Sequence, residues 1–307
     1  MRVNPIQPGS VSRHSHVRIV APARACEPQT LRACEDALKH YGFAVSFGEH
    51  VFDRDGSPLD LAGRDVDRAR DLMTALTDPQ VDWVLAARGG YGSMRLLPYV
   101  DWNVLSLSPV KPLVGFSDVT ALHLALARIG WPTIHGPNAD HDWWGSDGEA
   151  VVRWLVHGEL MLPETPLIPL TQGPRHFMPM MPWRGGNLSL IAALCGTAFE
   201  PAWDNTILYL EEVHEVAYRI DRLLQQLRLS GILSRVQGIV FGDAVFDGED
   251  ETKVVQNLVG QMAQELGIPA WWGLLSGHRL PMRALPLGVP LMIGTDNRVH
   301  LPQGATS

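Results

Sequence analysis

From Val17 onward the chain alternates strand-like with helix-like segments, and few architectures accept that order. "VRIVAP" reads as a buried strand, "PQTLRACEDALKHYG" as a helix stopped by Gly42, and "FAVSFG" as a strand again. The rhythm continues with "RDVDRARDLMTALTD" as a helix, "VDWVLAAR" as a strand, "SMRLLPYV" as a short helix and "VKPLVGF" as a strand. "DVTALHLALARIG" then reads as a helix and "PTIHGP" as a strand. This order predicts an open, mostly parallel sheet with helices on both faces, whose ligands collect beyond the C-terminal ends of the strands.

The pattern stops between Pro163 and Pro182, where six prolines in "PETPLIPLTQGPRHFMPMMP" leave little periodicity. The stretch reads as a connection. We therefore expect an N-terminal α/β domain over 1–165, a linker over 166–182 and a smaller C-terminal α/β or α+β domain over 183–307. In the second part "NLSLIAALCG", "AYRIDRLLQQLRLSG" and "ETKVVQNLVGQMAQELG" read as helices, and "TILYLE" and "VQGIVFGD" as strands. "VPLMIGTDNRVHLP" reads as a hairpin turning at Asp296-Asn297. A length of 307 residues with 46% apolar side chains suits two such cores.

The formal charge of −8 is spread along the chain, with no basic run to meet a phosphate backbone, so nucleic acid is not an expected partner. Cys26, Cys34 and Cys195 lack metal-type spacing and cannot all pair, which fits a reducing compartment. "MRVNPIQPGSVSRHSH" lacks the apolar core of a secretion signal, and no apolar run is long enough to cross a bilayer. The expected location is the cytoplasm, with no membrane partner.

Four short stretches carry chemistry. In "VGFSDVT", Ser117 sits where a strand gives way to a helix, a position that projects a side chain above the sheet with helix-start N–H groups beside it. The plainer reading is that Ser117 or Asp118 caps the helix. The G-x-S-x-G elbow asks for glycine where this chain has Val119, so that particular elbow is not expected. "RGGYG", Arg88 to Gly92, ends another strand and permits close backbone approach to a ligand, or is simply a tight loop. "LYLEEVHE" sets Glu211, Glu212 and Glu215 at a strand end, with Glu211 first, and "SGH" sets His278 in a loop. A serine hydroxyl needs an adjacent base, and the base needs a carboxylate to hold its tautomer.

Taken in order, "IVAPA", "RGGYG", "GFSD", "IHGP", "GGNL", "LEEVHEVAYRIDR", "SGH" and "LPLG" span nearly the whole chain, and the sequence resembles the LD-carboxypeptidases, cytoplasmic serine peptidases of bacterial cell-wall recycling. The resemblance implies Ser117 as nucleophile, Glu211 as orienting carboxylate and His278 as base. It also implies the backbone N–H groups of Gly90 and Asp118 as an oxyanion hole. The implied substrate is a muropeptide tetrapeptide that loses its terminal D-alanine, with no metal or organic cofactor, and the implied assembly is a homodimer. Glu215 and Trp183 are the expected substrate-binding residues, Glu215 on the ground that it lies one helical turn beyond Glu211.

The segment with Trp183-Arg184 and the stretch "DHDWWGSD", Asp140 to Asp147, depart from the family pattern. They bear on specificity, since the microcin C immunity peptidases of the same family cleave aminoacyl-nucleotide conjugates and stack an aromatic on the base. Trp143, Trp144 or Trp183 could serve so, or simply pack. Three rivals remain: a metal hydrolase using His135, Asp140, His141 and Asp142, a non-catalytic muropeptide-binding module, and a nucleotide-binding enzyme. The metal reading lacks a helical H-E-x-x-H spacing, and the nucleotide reading lacks a phosphate-cradling motif.

Overall fold

In the computed structural model, which describes residues 9, 11–162, 165–171, 177–246 and 249–301, the βα rhythm becomes a six-stranded sheet. Residues 1–8 of the N-terminal stretch and 172–176 of the proline-rich stretch lie outside the described residues. Strands β1 (His16–Val20), β2 (Ala44–Phe47), β3 (Trp83–Ala86), β4 (Leu113–Gly115) and β5 (Thr133–His135) are parallel, as expected. Helices α1 (Pro28–His40), α2 (Asp65–Thr77), α3 (Trp102–Leu107), α4 (Thr120–Arg128) and α5 (Ser146–Val152) connect or follow them. The short helix expected at "SMRLLPYV" is a 3-10 helix over Ser93–Tyr99.

A second, seven-stranded sheet holds β6 (Ile168–Pro169), β7 (Met178–Asn187), β8 (Ile207–Val213), β9 (Gly238–Val245) and β10 (Ala270–Leu274). Its other helices are α6 (Leu188–Leu194), α7 (Ala217–Leu229) and α8 (Glu249–Leu266). Strand β11 (Leu285–Leu287) leaves this part of the chain and pairs antiparallel with β5 of the first sheet. The chain closes with β12 (Pro290–Ile293) and β13 (Val299–His300), the expected hairpin, with Asn297 left-handed at φ 57° in its turn.

The proline-rich stretch is not wholly a connection. Ile168-Pro169 pairs with β10, and Met178–Pro182 forms the first half of β7. Prolines are tolerated there because that half pairs only with β12, while residues 183–187 pair with β8.

Burial follows the residue spacing. Helix α7 buries Ile220, Leu224 and Leu227, one stripe of its surface, each side chain contributing about 1.5–3 kcal/mol. They join a cluster that also holds Leu122 and Leu126 of α4, Leu188 and Ile191 of α6, and Leu208 of β8. One apolar core therefore runs under both sheets, with the start of α4 close to the end of β7.

Candidate active site

Ser117 lies at the junction between β4 and α4 with φ 62°, a left-handed conformation that costs a non-glycine residue roughly 1–3 kcal/mol. The turn is a tight elbow without the second glycine of G-x-S-x-G. Its tight side is Gly115, where a Cβ would sit 2.9 Å from both Ala86 Cβ and Val119 Cγ1. Val119 fills the space beside Gly115, so a second glycine is not required for the turn. Three buried hydrogen bonds hold it. Asn138 Oδ1 accepts from the Phe116 N–H at 3.1 Å, His123 Nε2 donates to the Gly115 carbonyl at 2.8 Å, and Thr120 Oγ1 accepts from the Asn187 N–H at 2.9 Å. Burial pushes the His123 pKa down to about 4, so the ring serves this turn as a neutral donor.

The Gly-rich loop closes over the serine. A Cβ on Gly89 would stand 3.2 Å from Ser117 Cβ, and Gly90 follows at φ 97°. The Asp118 side chain joins the two segments by accepting from the Ser93 N–H at 2.7 Å. Burial raises the Asp118 pKa, and the Ser93 bond and the charge of Arg68 work against the rise. The sequence reading gave Asp118 a helix cap or a backbone donor as its role and passed over Asn138 and His123. His123 gave a faint signal as a polar residue within an apolar run, and Asn138 gave none in its polar loop.

Glu211 and Glu212 belong to β8 itself, where the pairing with β9 shifts register between Leu210 and Glu212. Such bulges redirect side chains beside functional sites. Glu212 accepts from Asn187 Nδ2 at 2.9 Å, from the Ser189 N–H and Oγ–H at 2.9 and 2.7 Å, and from the Val213 N–H at 3.0 Å, so it ties β8 to the start of α6. Burial raises its pKa. Glu211, fully buried, bonds to a different element, its Oε2 accepting from His278 Nδ1 at 2.7 Å. With Nδ1 protonated, His278 Nε2 accepts from Ser117 Oγ at 3.1 Å.

Three residues far apart in the chain thus form one hydrogen-bonded line, with the Phe116 ring 4.9 Å from the His278 ring. Burial opposes the charged form of His278, but the bond to Glu211 and the charges of Glu211 and Glu212 outweigh it and raise the pKa. The group is a base whose protonated form is stabilised by its neighbours. Such a line can take a proton from a hydroxyl and return it to a leaving group.

Other expected residues lie elsewhere. Trp183 is fully buried among Trp271, Leu291 and Ile293 and presents no face to a ligand, which corrects the expectation of substrate contact. Trp143 is equally enclosed, packed on Trp83 and donating to the Asn138 carbonyl at 2.9 Å. Trp144 is exposed, with its ring 5.3 Å from His40 of α1. Glu215 occupies the turn between β8 and α7, not a helical turn, and pairs with Arg219 at 3.4 Å. The proposed metal set does not converge. Asp140 sits between His141 and Arg88, Asp142 bonds the N–H groups of Trp144 and Gly145, and His135 is buried. Among the described residues no group of three or more His, Cys, Asp or Glu is arranged around a metal position.

Residues 17–136 match the LD-carboxypeptidase N-terminal domain and residues 182–293 the LD-carboxypeptidase C-terminal domain. A putative carboxypeptidase of Streptomyces coelicolor is 36% identical over 95% of this chain and 94% of its own length. The murein tetrapeptide carboxypeptidase of Pseudomonas aeruginosa is 32% identical over 89% of this chain and 91% of its own. The crystal structure of muramoyltetrapeptide carboxypeptidase from Oxalobacter formigenes superposes with a TM-score of 0.75 at 28% identity, covering 91% of this chain and 94% of that one.

Proposed function

The chain belongs to the LD-carboxypeptidase family, and from that premise we propose that it is a serine carboxypeptidase removing the terminal D-alanine from muropeptide tetrapeptides in cytoplasmic cell-wall recycling. The observation that carries the proposal is the pair of hydrogen bonds from Ser117 through His278 to Glu211, 3.1 and 2.7 Å long. In this reading the N-terminal unit through residue 165 brings the nucleophile, and the unit from residue 183 brings base and carboxylate. The enzyme works as a homodimer.

Ser117 Oγ attacks the carbonyl carbon of the L-centre while His278 Nε2 takes its proton. Glu211 holds the Nδ1–H tautomer and stabilises the imidazolium that forms. The tetrahedral oxyanion is received by the N–H groups of Gly90 and Asp118. Asp118 lies in the first turn of a helix, where N–H groups have no intrahelical acceptor. Each such donor lowers the barrier by about 2.7–4 kcal/mol. The imidazolium then protonates the departing D-alanine amine, and water, activated by His278, releases the tripeptide from Ser117.

The test is mass-spectrometric, with chelator present throughout. Purified protein should release one D-alanine from a muropeptide tetrapeptide, and Ser117→Ala should release none. Cleavage of an aminoacyl-sulfamoyl nucleotide instead would assign the immunity-type activity, and cleavage of neither would leave a muropeptide-binding module. Of the three tryptophans considered for stacking on a nucleobase, Trp143 and Trp183 are enclosed and Trp144 alone is exposed, with its ring against His40.

A further inference from the structure

A carboxypeptidase must recognise a free α-carboxylate beside the scissile bond, and a fixed cation is the usual means. Arg24 lies just past the C-terminal end of β1, the edge of a parallel sheet where ligands gather. Its backbone is pinned by a bridge to Leu61. Its aliphatic stem runs against the Gly-rich loop, where a Cβ on Gly90 would lie 2.9 Å from Arg24 Cδ and 3.3 Å from Cγ. Gly89 abuts Ser117 and Gly90 abuts Arg24, so the nucleophile and the arginine flank one two-residue strip.

Among the described residues the arginine has no ion-pair partner for its charge, and its Nε is buried without a hydrogen-bond partner. The neighbouring Arg88, by contrast, is engaged by Asp140 at 3.6 Å and by the Ala25 carbonyl at 3.3 Å. Arg283 also has buried, unpartnered nitrogens, but the side chain nearest Gly90 is that of Arg24. An unpaired buried guanidinium nitrogen is costly, and that cost is relieved when an anion arrives.

We infer that Arg24 binds the α-carboxylate of the departing D-amino acid and so restricts cleavage to the last peptide bond. The inference rests on the carboxypeptidase reading above. Only the α-carbon separates the scissile nitrogen from that carboxylate, so the cation that binds it belongs beside the loop that flanks the nucleophile.

The experiment compares the tetrapeptide with its C-terminal amide, on wild type, Arg24→Ala and Arg24→Lys. Wild type should prefer the free acid. Arg24→Ala should lose about 10- to 100-fold in kcat/KM on the acid, mostly through KM, with Arg24→Lys recovering part of the loss. On the amide, Arg24→Ala and wild type should be equal, which also shows that the variant is folded. Equal losses on acid and amide, or a loss below threefold on the acid, would overturn the inference while leaving the carboxypeptidase reading intact. Wild type inert on both peptides would overturn that reading and this inference together.

Discussion

The serine and the histidine that meet at 3.1 Å are held in opposite ways. Ser117 stands on a strand-to-helix elbow whose turn is fixed by Asn138, His123 and Thr120, all buried. His278 stands on a loop between β10 and β11, held at its base by the Arg283 N–H to Leu275 carbonyl bond at 2.9 Å and by the Met282 N–H to Asp147 bond at 3.0 Å. Its ring is aimed by Glu211 and Phe116. The serine is thus set by the core of the fold, and the histidine by the carboxylate it bonds. Damage at the elbow should register as lost stability together with lost activity, whereas damage at the loop should register first as lost activity.

The largest effect expected is on turnover. Ser117→Ala and His278→Ala should each lower kcat by about 10⁴-fold or more in a D-alanine release assay. Ser117→Gly, which accepts φ 62° without strain, should be at least as stable as Ser117→Ala in thermal melts, because the strain belongs to the elbow. Next, Asn138→Ala strands the buried Phe116 N–H and should cost about 1–3 kcal/mol of stability by denaturant titration. Retention of wild-type stability would mean that the elbow does not depend on that contact.

The pH profile sharpens the same contrast. The base works only when neutral, and its pKa is raised above the ordinary 6.5, so the acid limb of kcat/KM should have its midpoint above that value. Glu211→Gln should move the midpoint down. The stability linkage has the opposite sense. The protonated form is favoured in the folded state, so the His278–Glu211 contribution is present at low pH and lost as pH rises through the folded pKa. The smallest effect concerns Glu215, whose partly exposed pair with Arg219 is worth little, so Glu215→Gln should keep kcat and stability within about twofold and 1 kcal/mol.

The same divide governs what could be read from the sequence. Strands β1 to β5 announce themselves as short apolar runs and helices α1, α2 and α4 as longer ones between turn signals, whereas α3 was not read, and Ser117 was legible from its place at a strand end. Strand β7 was hidden because Pro179 and Pro182 break the strand pattern in the half that lacks a second neighbour, and Gly185-Gly186 in the other. The pairing of β11 with β5 joins residues over a hundred positions apart, which local patterns do not encode. The G-x-S-x-G pattern is absent from the sequence, and what the sequence did not show is that the valine in place of its second glycine packs beside Gly115. Glu211 was distinguished from Glu212 by position and family resemblance. Their different partners, His278 and the start of α6, depend on a bulge that no spacing announces.

The central claim is that Ser117 and His278 act as one unit, and the most direct test is the kcat of the double variant Ser117→Ala/His278→Ala beside each single variant. The account predicts a residual rate for the double variant equal to that of the slower single one, since removing either member already disables the pair. Losses that multiply would show two independent contributions and contradict it.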